Sequence, residues 1–336
     1  MKLLRESLHS IFVRYGGIFL CIFKTIDEQI TILQERGLTI HSKERAKKYL
    51  LTSNYYAIIN GYGKFFQDYP DHFIPGATFD EVRQLYLFDK EFKEILLKGI
   101  LDAEHHLKSI SAYRFAEANP NVKYPYLDIH SYNPNHLNYD WKLISKLSKI
   151  LSSNCEYANN PIHHNVHCHR NVPIWVLVAF LDFGTLKAFI KDLPIQVQNK
   201  IAVDCLNFIL DNVPNFNSSF TPKVMNSFIK NIAETRNICA HNNRLLKFQC
   251  RSDVSYFEAL HQKYGIQNIN GTRKNVYTTF VCLRCFLSKD EYIILNNSLR
   301  KRIRRLEHNL SSVEINLVLS SLGFPNNWHK HSALQN

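Results

Sequence analysis

The chain has 336 residues, 45% of them hydrophobic, so it can bury a sizeable core and is not a disordered tail. Its 41 lysines and arginines outnumber its 29 acidic residues, and the resulting net charge of +12 favours polyanionic partners such as RNA or DNA. Its eight cysteines are scattered, which is unlike a small secreted disulfide protein and favours a reducing cytoplasm.

An apolar stretch, residues 11–23, precedes the first helix signal. Arg14 interrupts it and no small-residue cleavage site follows, which argues against a signal peptide. It is also shorter than the roughly 20 apolar residues that cross a bilayer as a helix. We interpret residues 11–23 as a helical extension that packs on the body or on a partner. The alternative is that this stretch associates with a membrane. We favour the helical extension and therefore expect no membrane partner.

Helix signals recur along the whole chain, whereas strand-like alternation is scarce, so the sequence predicts an all-α fold. Capping boxes, in which a hydroxyl and a carboxylate satisfy free amides at a helix start, are predicted at Thr25 with Glu28, Thr78 with Glu81, Ser288 with Glu291 and Ser311 with Glu314. Thr221 before Pro222 marks another start. Helices are predicted at residues 27–35, 42–66 with a break near 54 or 61, 79–115, 140–151, 173–190, 222–238, 272–287, 289–307 and 312–322.

The clearest helix, residues 79–115, carries an apolar stripe at three- and four-residue steps, so one of its faces must be buried. The face opposite that stripe is interpreted as solvated unless a partner covers it, and it carries Lys90, Lys93, Glu94, Lys98 and Lys108. Residues 119–139 and 154–171 are rich in polar residues and are predicted to be long surface loops. Neither has the composition of a tether, which predicts one domain over residues 25–330.

A short polar run, Arg236-Asn237-Ile238-Cys239-Ala240-His241, follows an amphipathic helix. Cleavage of RNA by attack of a 2′-hydroxyl on the neighbouring phosphate needs a base, an acid and a cation for the phosphoryl oxygens. Histidine suits the first two roles, and the planar fork of arginine suits the third. On an ideal helix Arg236 and His241 are separated by about 140°. The helix therefore ends or distorts near Ala240, or else the arginine reaches around it.

The alternative interpretation of this run is a polar helix end. In that case His241 and Arg244 would only cap the last carbonyl groups. The amides of Asn237, Asn242 and Asn243 lie in the same stretch and favour the functional interpretation.

The run RNICAHNNRLL resembles the signature of the Abi-type abortive infection proteins of bacteria (AbiD/AbiF-like), which carry the HEPN nuclease motif of an arginine, a polar residue and a histidine. Further stretches similar to that family lie between residues 25 and 328: DEQITILQERGLTI, AKKYLLTSNYYAIINGYGKFF, GATFDEVRQLYLFDKEFKEILLKGILDAE, VPIWVLVAFLDFGTLKAFI and LGFPNNW. The resemblance implies a HEPN-type helical bundle with additional helices and long loops, a homodimer that brings two motifs together, and RNA cleavage without metal or cofactor in defence against phage.

Carried over position by position, the resemblance implies three catalytic residues. His241 would be the general base or acid, and Arg236 would bind or stabilise the scissile phosphate. Asn237 would orient these two side chains. The sequence departs from the family in residues 1–24, which are an addition, and at Asn242, where a second histidine is common. One imidazole per motif remains, and a dimer would restore two.

Two sets of residues are predicted to bind RNA. The first set, Asn242, Asn243 and Arg244, follows the motif directly. The second is a basic run on a predicted helix, containing Arg300, Lys301, Arg302, Arg304 and Arg305, which would supply salt-sensitive affinity for phosphates. The alternative for the basic run is a solvated charged face.

Three further clusters have structural alternatives. His163, His167 and Cys168 have spacing that could chelate zinc, but the surrounding residues predict a hydrophilic loop, and we predict no metal site. Cys282 and Cys285 form a C-x-x-C within an apolar run and are interpreted as buried helical thiols. Tyrosines and asparagines at residues 54–62 could contact bases, although tyrosines at helix joints are more often packing residues.

The leading hypothesis is a cytoplasmic, homodimeric HEPN-type endoribonuclease that leaves cyclic-phosphate ends, with a noncoding RNA or a partner protein as candidate regulators. The alternative is a non-catalytic RNA-binding defence or toxin–antitoxin module in which the same motif grips phosphate. A metal hydrolase built on residues 163–169 is a third hypothesis, and it predicts that EDTA abolishes activity.

Overall fold

The computed structural model describes residues 12–15, 18–21, 23–332 and 334. Helices dominate these residues, which confirms the predicted all-α class, and the described strands form two short antiparallel pairs. The strands are β1 (Phe12–Tyr15) with β2 (Ile18–Cys21), and β3 (Gln67–Tyr69) with β4 (His72–Phe73). The α-helices in chain order are α1 (Ile26–Glu35), α2 (Lys43–Ser53), α3 (Phe79–Ala118), α4 (Leu137–Cys155), α5 (Pro161–His164), α6 (Ile174–Leu177), α7 (Phe183–Asp192), α8 (Ile195–Asn212), α9 (Pro222–Ala240), α10 (Glu258–His261), α11 (Val276–Cys282), α12 (Lys289–Glu307) and α13 (Ile315–Leu322).

The chain divides into two compact units. The first takes its described residues from Met1–Glu94, Arg244–Leu246 and Ser298–Ser332, and the second from Ile95–Asn243, Lys247–Asn297 and Ala333–Asn336. The predicted extension, 1–24, and the predicted single domain, 25–330, stay predictions. Among the described helices, none combines the length and the hydropathy that a membrane crossing requires.

In the first unit, a buried carboxylate fixes the start of α3. Glu81 completes the predicted capping box by accepting the N–H of Thr78, and its second oxygen accepts the N–H groups of Ser311 and Ser312 at 2.8 Å each. The capping box predicted at Ser311 with Glu314 is therefore wrong, because Ser311 bonds to Glu81 and the Glu314 side chain caps nothing at the start of α13.

The other predicted helix starts are confirmed. Thr25 with Glu28 and Ser288 with Glu291 form the reciprocal hydrogen bonds of a capping box. Thr221 accepts the N–H of Val224 at the start of α9.

In the second unit, α9 packs against α7, α8 and α11. Its buried face carries Met225, Phe228, Ile229 and Ile232, whose three- and four-residue steps keep them on one side of the helix. This amphipathic pattern fixes which face of α9 points outward and therefore which of its polar residues meet solvent.

The sequence analysis did not predict α8. Pro194 precedes it without a side-chain cap, and its apolar residues occur on two faces, with Ile201 buried and Val203 exposed. A helix that is apolar on both faces lacks the one-sided period on which the prediction depends.

The helix predicted at residues 173–190 is interrupted, because Asp182 starts α7 by accepting the N–H of Thr185.

Three loop and extension predictions have different outcomes. Residues 119–139 form a long segment of 3₁₀ turns leading into α4, in agreement with a loop. Residues 154–171 contain α5 and a π-helical turn, Asn165–His169, so the predicted loop is wrong there. The helix predicted at residues 11–23 is also wrong, since the described part forms β1 and β2; residues 1–11 lie outside the described chain.

His261 is a buried titratable group of the second unit. Its Nδ1 accepts the N–H of Phe257 at 3.1 Å, which requires an unprotonated nitrogen. Burial, with a smaller contribution from the charge of Arg273, lowers the pKa of His261 to about 4.

The pKa of His261 predicts a loss of stability in acid. The unfolded chain binds a proton at this ring below about pH 6.5, whereas the folded chain resists it until about pH 4. The free energy of unfolding therefore falls as the pH drops through this window, by at most about 1.4 kcal/mol per pH unit from this group. We expect His261→Asn, whose side-chain oxygen can still accept the Phe257 N–H, to lose less stability between pH 6.5 and 4.5 than the parent in urea unfolding.

The exposed His308 supplies the matched control, and His308→Asn should keep the parent's pH dependence. The same pH dependence in His261→Asn and in the parent would show that His261 is not the group responsible.

Candidate functional site

The candidate site lies at the C-terminal end of α9, in the second unit. The helix ends at Ala240, and the N–H of His241 closes its last turn by donating to the carbonyl of Asn237 at 3.1 Å. The sequence left two arrangements open, a helix that ends or distorts near Ala240 and an arginine that reaches around a continuing helix. The structure has the first, because the helix ends at Ala240.

The residues after His241 form a backbone cap. Asn242 is in the left-handed conformation, with φ of 53°, and its N–H donates to the carbonyl of Cys239. The N–H of Asn243 donates to the carbonyl of Ile238 at 3.1 Å. This pair of bonds is the Schellman motif, in which asparagine is one of the few residues that accept the left-handed position.

Backbone N–H groups close the last turn of α9. The carbonyls of Asn237, Ile238 and Cys239 all accept them. Arg244 belongs to the first unit, where its guanidinium donates to the carbonyl of Gly61.

The three predicted catalytic residues differ in exposure. Asn237 and His241 are exposed, whereas Arg236 is half-buried. The Nε of Arg236 is buried and has no hydrogen-bond partner within the described chain. A buried guanidinium nitrogen without a partner is costly, so Arg236 retains a donor that the described fold does not use.

A neighbouring segment of the second unit holds α9 along its length. Asn231 donates to the carbonyl of Ser252 at 2.9 Å, Glu234 accepts the N–H of Arg251 at 2.8 Å, and Ser227 accepts the N–H of Ser255 at 3.0 Å. These bonds fix the helix on one side and leave its exposed polar end in a defined orientation.

A buried carboxylate in the first unit fixes the residues that follow the motif. Asp89 is 1% exposed and accepts the backbone N–H groups of Leu245 and Leu246 at 3.1 and 3.0 Å. It also accepts the hydroxyl of Tyr62 at 2.8 Å and pairs with Lys93 at 3.2 Å. Burial, helped by the negative charge of Asp89, raises the pKa of Tyr62, so its hydroxyl stays a donor.

The sequence analysis missed the role of Asp89 and misplaced Lys93, which is 4% exposed and not solvated as predicted. The available signal was an aspartate and a lysine four residues apart beside the apolar stripe of α3, a spacing that allows a pair on one helix face. The tyrosine interpretation holds for Tyr62, which is a packing residue with a satisfied hydroxyl.

The basic run on α12 belongs to the first unit and does not present all of its cations to solvent. Arg300 is 3% exposed and donates to the carbonyl groups of Ser332 and His329, which corrects its prediction as an RNA contact on the surface. Arg302 pairs with Glu91 at 2.6 Å.

The remaining arginines of that run, Arg304 and Arg305, are exposed, and RNA binding by them stays a prediction. Arg304 also donates from Nε to the carbonyl of His329 at 3.1 Å.

Two histidines, one in α5 and one in the π-helical turn after it, hydrogen-bond through their ring nitrogens to nearby backbone carbonyls. His163 Nδ1 contacts the carbonyl of Cys155 at 2.6 Å, and His167 Nδ1 contacts the carbonyl of His163 at 2.9 Å. The two rings stack with centroids 3.9 Å apart. Over the described part of the chain, no group of three or more histidine, cysteine or acidic side chains is arranged to hold a metal ion.

Cys282 and Cys285 are buried, which confirms their interpretation as structural thiols. Burial raises the pKa of both thiols well above the ordinary value, so neither is an activated nucleophile.

A comparison with protein families gives one match. A family model described as Abi-like protein matches residues 48–247, more than half of the chain. The matched range ends just after the Schellman cap and includes the whole run from Arg236 to Leu246. Two of the similar stretches, DEQITILQERGLTI and LGFPNNW, lie outside it. No curated protein and no solved structure matches the chain.

The Asp89 contacts predict a large effect on stability. Asp89→Ala removes the acceptor of two backbone N–H groups and of Tyr62, and it takes the carboxylate away from the buried Lys93. Breaking such a buried pair costs about 3–5 kcal/mol. We expect a loss of that size in the free energy of unfolding, measured with urea.

Asp27 of the same unit is the matched control, because its pair with Lys47 is exposed. Asp27→Ala should leave the unfolding midpoint nearly unchanged. A small effect of Asp89→Ala, similar to that of Asp27→Ala, would contradict the anchoring role of Asp89.

Proposed function

This chain belongs to the Abi-like protein family, and from that membership and the exposed end of α9 we propose that it is a metal-independent endoribonuclease of the HEPN type acting in abortive infection. Membership of the family is what points to defence against phage. The residues at the end of α9 support the finer part of the proposal, which is the nuclease activity, the AbiD/AbiF-like subtype and the HEPN mechanism.

The proposed reaction needs only groups that the chain supplies. The 2′-oxygen of a ribose attacks the adjacent phosphorus as its proton passes to a base, and the bond from phosphorus to the 5′-oxygen breaks as that oxygen takes a proton from an acid. The products are a 2′,3′-cyclic phosphate and a 5′-hydroxyl. His241 is the base or the acid, Arg236 stabilises the charge on the phosphoryl oxygens, and Asn237 orients these two side chains.

One observation carries this proposal. The backbone N–H groups of His241, Asn242 and Asn243 close the last turn of α9, and the side chain of His241 is exposed. Arg236 likewise keeps a buried nitrogen that finds no acceptor in the part of the chain that the structure describes. A buried polar group that its fold leaves without a partner is a candidate for binding and catalysis.

The number of imidazoles favours a homodimer. The reaction requires two proton transfers. The motif of one chain supplies one imidazole, that of His241, because the next residue is Asn242 and not a second histidine. Two copies that each contribute a motif would supply one ring as base and the other as acid. The proposed setting is the cytoplasm, with RNA as substrate and a noncoding RNA or a partner protein as the restraining factor.

The second candidate function is a non-catalytic RNA-binding module of a defence or toxin–antitoxin system. The presence of Asn242 and Asn243 favours it, because amides hydrogen-bond phosphates and bases without transferring protons. In this case Arg236 and the asparagines would hold RNA, and His241 would have no chemical role.

Cleavage of a labelled RNA in excess EDTA separates these functions. We expect the parent to cleave and to leave 2′,3′-cyclic phosphate ends, and we expect His241→Ala to lose about 10²- to 10⁴-fold in rate, the usual contribution of a general acid or base. Because only the backbone of His241 closes the helix, the variant should unfold at the parent's denaturant concentration.

His308→Ala, which removes another exposed histidine, is the control and should cleave like the parent. Equal cleavage by His241→Ala would remove the catalytic assignment. Binding without cleavage by the parent would favour the non-catalytic module, and cleavage that EDTA abolishes would favour metal chemistry.

A further inference from the structure

A groove in the second unit lies between α3 and the segment that contains α6. One wall spans just over three turns of α3, from His105 to Glu117, and the other is formed by Trp175, Val178 and Ala179. Its volume is about 660 Å³, within the range of about 300–1,000 Å³ that is typical of small-ligand sites. None of the residues proposed for catalysis lines it.

The lining of the groove suits a flat, partly apolar group. Ala112, Ala116 and Ala179 have side chains too short to fill it, so the space between the walls stays open. His105 and Ser109 add hydrogen-bonding groups along α3. A site with a smooth apolar surface and a few polar groups matches a planar heterocycle, which stacks by its face and hydrogen-bonds by its edge.

Two large aromatic rings of the groove are left in solvent. Tyr113 on α3 is 64% exposed, with the guanidinium of Arg114 5.2 Å from its ring centroid, and Trp175 on α6 is 63% exposed, whereas Trp328, in the first unit, is 9% exposed. Exposed aromatic rings are the usual stacking surfaces for unpaired nucleobases, and every base offers a flat face to them.

The charges beside the groove tolerate a polyanion. Glu104 is paired with Lys108 at 3.0 Å, and Glu117 is paired with Arg114 at 3.1 Å and with Lys200 at 3.0 Å. Both carboxylates are thus compensated within the protein, and the chain as a whole carries a net charge of +12. A phosphodiester next to the groove meets no uncompensated negative charge from these two residues.

We propose that this groove binds an unpaired base of a single-stranded RNA, stacked on Trp175 and Tyr113. The inference rests on the proposed function for the identity of the polymer, and it adds a base-binding site apart from the residues at the end of α9. The polar side chains of His105 and Ser109 favour a nucleobase over an apolar protein segment as the occupant, because an apolar segment would leave them without partners.

The test measures RNA binding without cleavage, in the His241→Ala background. A short labelled single-stranded RNA is titrated against Trp175→Ala and Tyr113→Ala, with Trp141→Ala as the matched control, since Trp141 is 60% exposed and does not line the groove. We expect the two groove variants to bind about tenfold or more weakly, and the control to bind like the background. An abasic RNA of the same length and charge should bind all four proteins equally.

The base site is wrong if Trp175→Ala binds RNA as tightly as Trp141→Ala, or if abasic RNA preserves the difference in affinity between these two variants. It is also wrong if Trp175→Ala dissociates an oligomer in sedimentation, because the groove would then bind a second copy of the chain. If the parent cleaves RNA while the groove variants bind normally, only the base site fails. If the parent neither binds nor cleaves RNA, the proposed function fails as well.

Discussion

The candidate site depends on how α9 ends. A helix leaves its last carbonyl groups without intrahelical partners, and polar side chains are one common way of satisfying them. Here Asn242 takes the left-handed conformation, and the backbone N–H groups of three successive residues satisfy the last turn. The chemistry proposed for His241 uses this arrangement, because the backbone of the residue closes the helix while its imidazole is exposed.

The chain beyond the cap is fixed by a different interaction. Asp89 presents a buried carboxylate to two consecutive backbone N–H groups, those of Leu245 and Leu246, and the same carboxylate holds Tyr62 and Lys93. A buried charge is stable only when it is paired and hydrogen-bonded, and Asp89 has both kinds of partner. Each compact unit thus fixes its own part of the polar run, with α9 in the second unit and Arg244–Leu246 in the first.

The sequence predicted those features that depend on local patterns. The all-α class, the capping boxes at Thr25, Thr78 and Ser288, and the bounds of α12 follow from periodicity and cap chemistry, and the structure has them. The helix α8 was not predictable in this way, because its two apolar faces hide the period.

Contacts between distant residues could not be predicted from local patterns. Ser311 has a capping-box spacing with Glu314 but bonds to Glu81, which is 230 positions away in sequence. Arg300 belongs to a dense basic run, yet it is buried because backbone carbonyls near the C-terminus accept its hydrogens. At the candidate site the sequence predicted the residue types and the end of the helix near Ala240, whereas the backbone cap and the Asp89 contacts required the fold.

NMR of the His241 ring, assigned with the His241→Gln variant, tests directly whether RNA binds at the end of α9. The ring is observed during titration with an RNA whose 2′-hydroxyls are methylated and which cannot be cleaved. We expect the His241 resonances to shift as the RNA binds, together with the Nε signal of Arg236. Binding of the RNA with both signals unchanged would contradict this expectation.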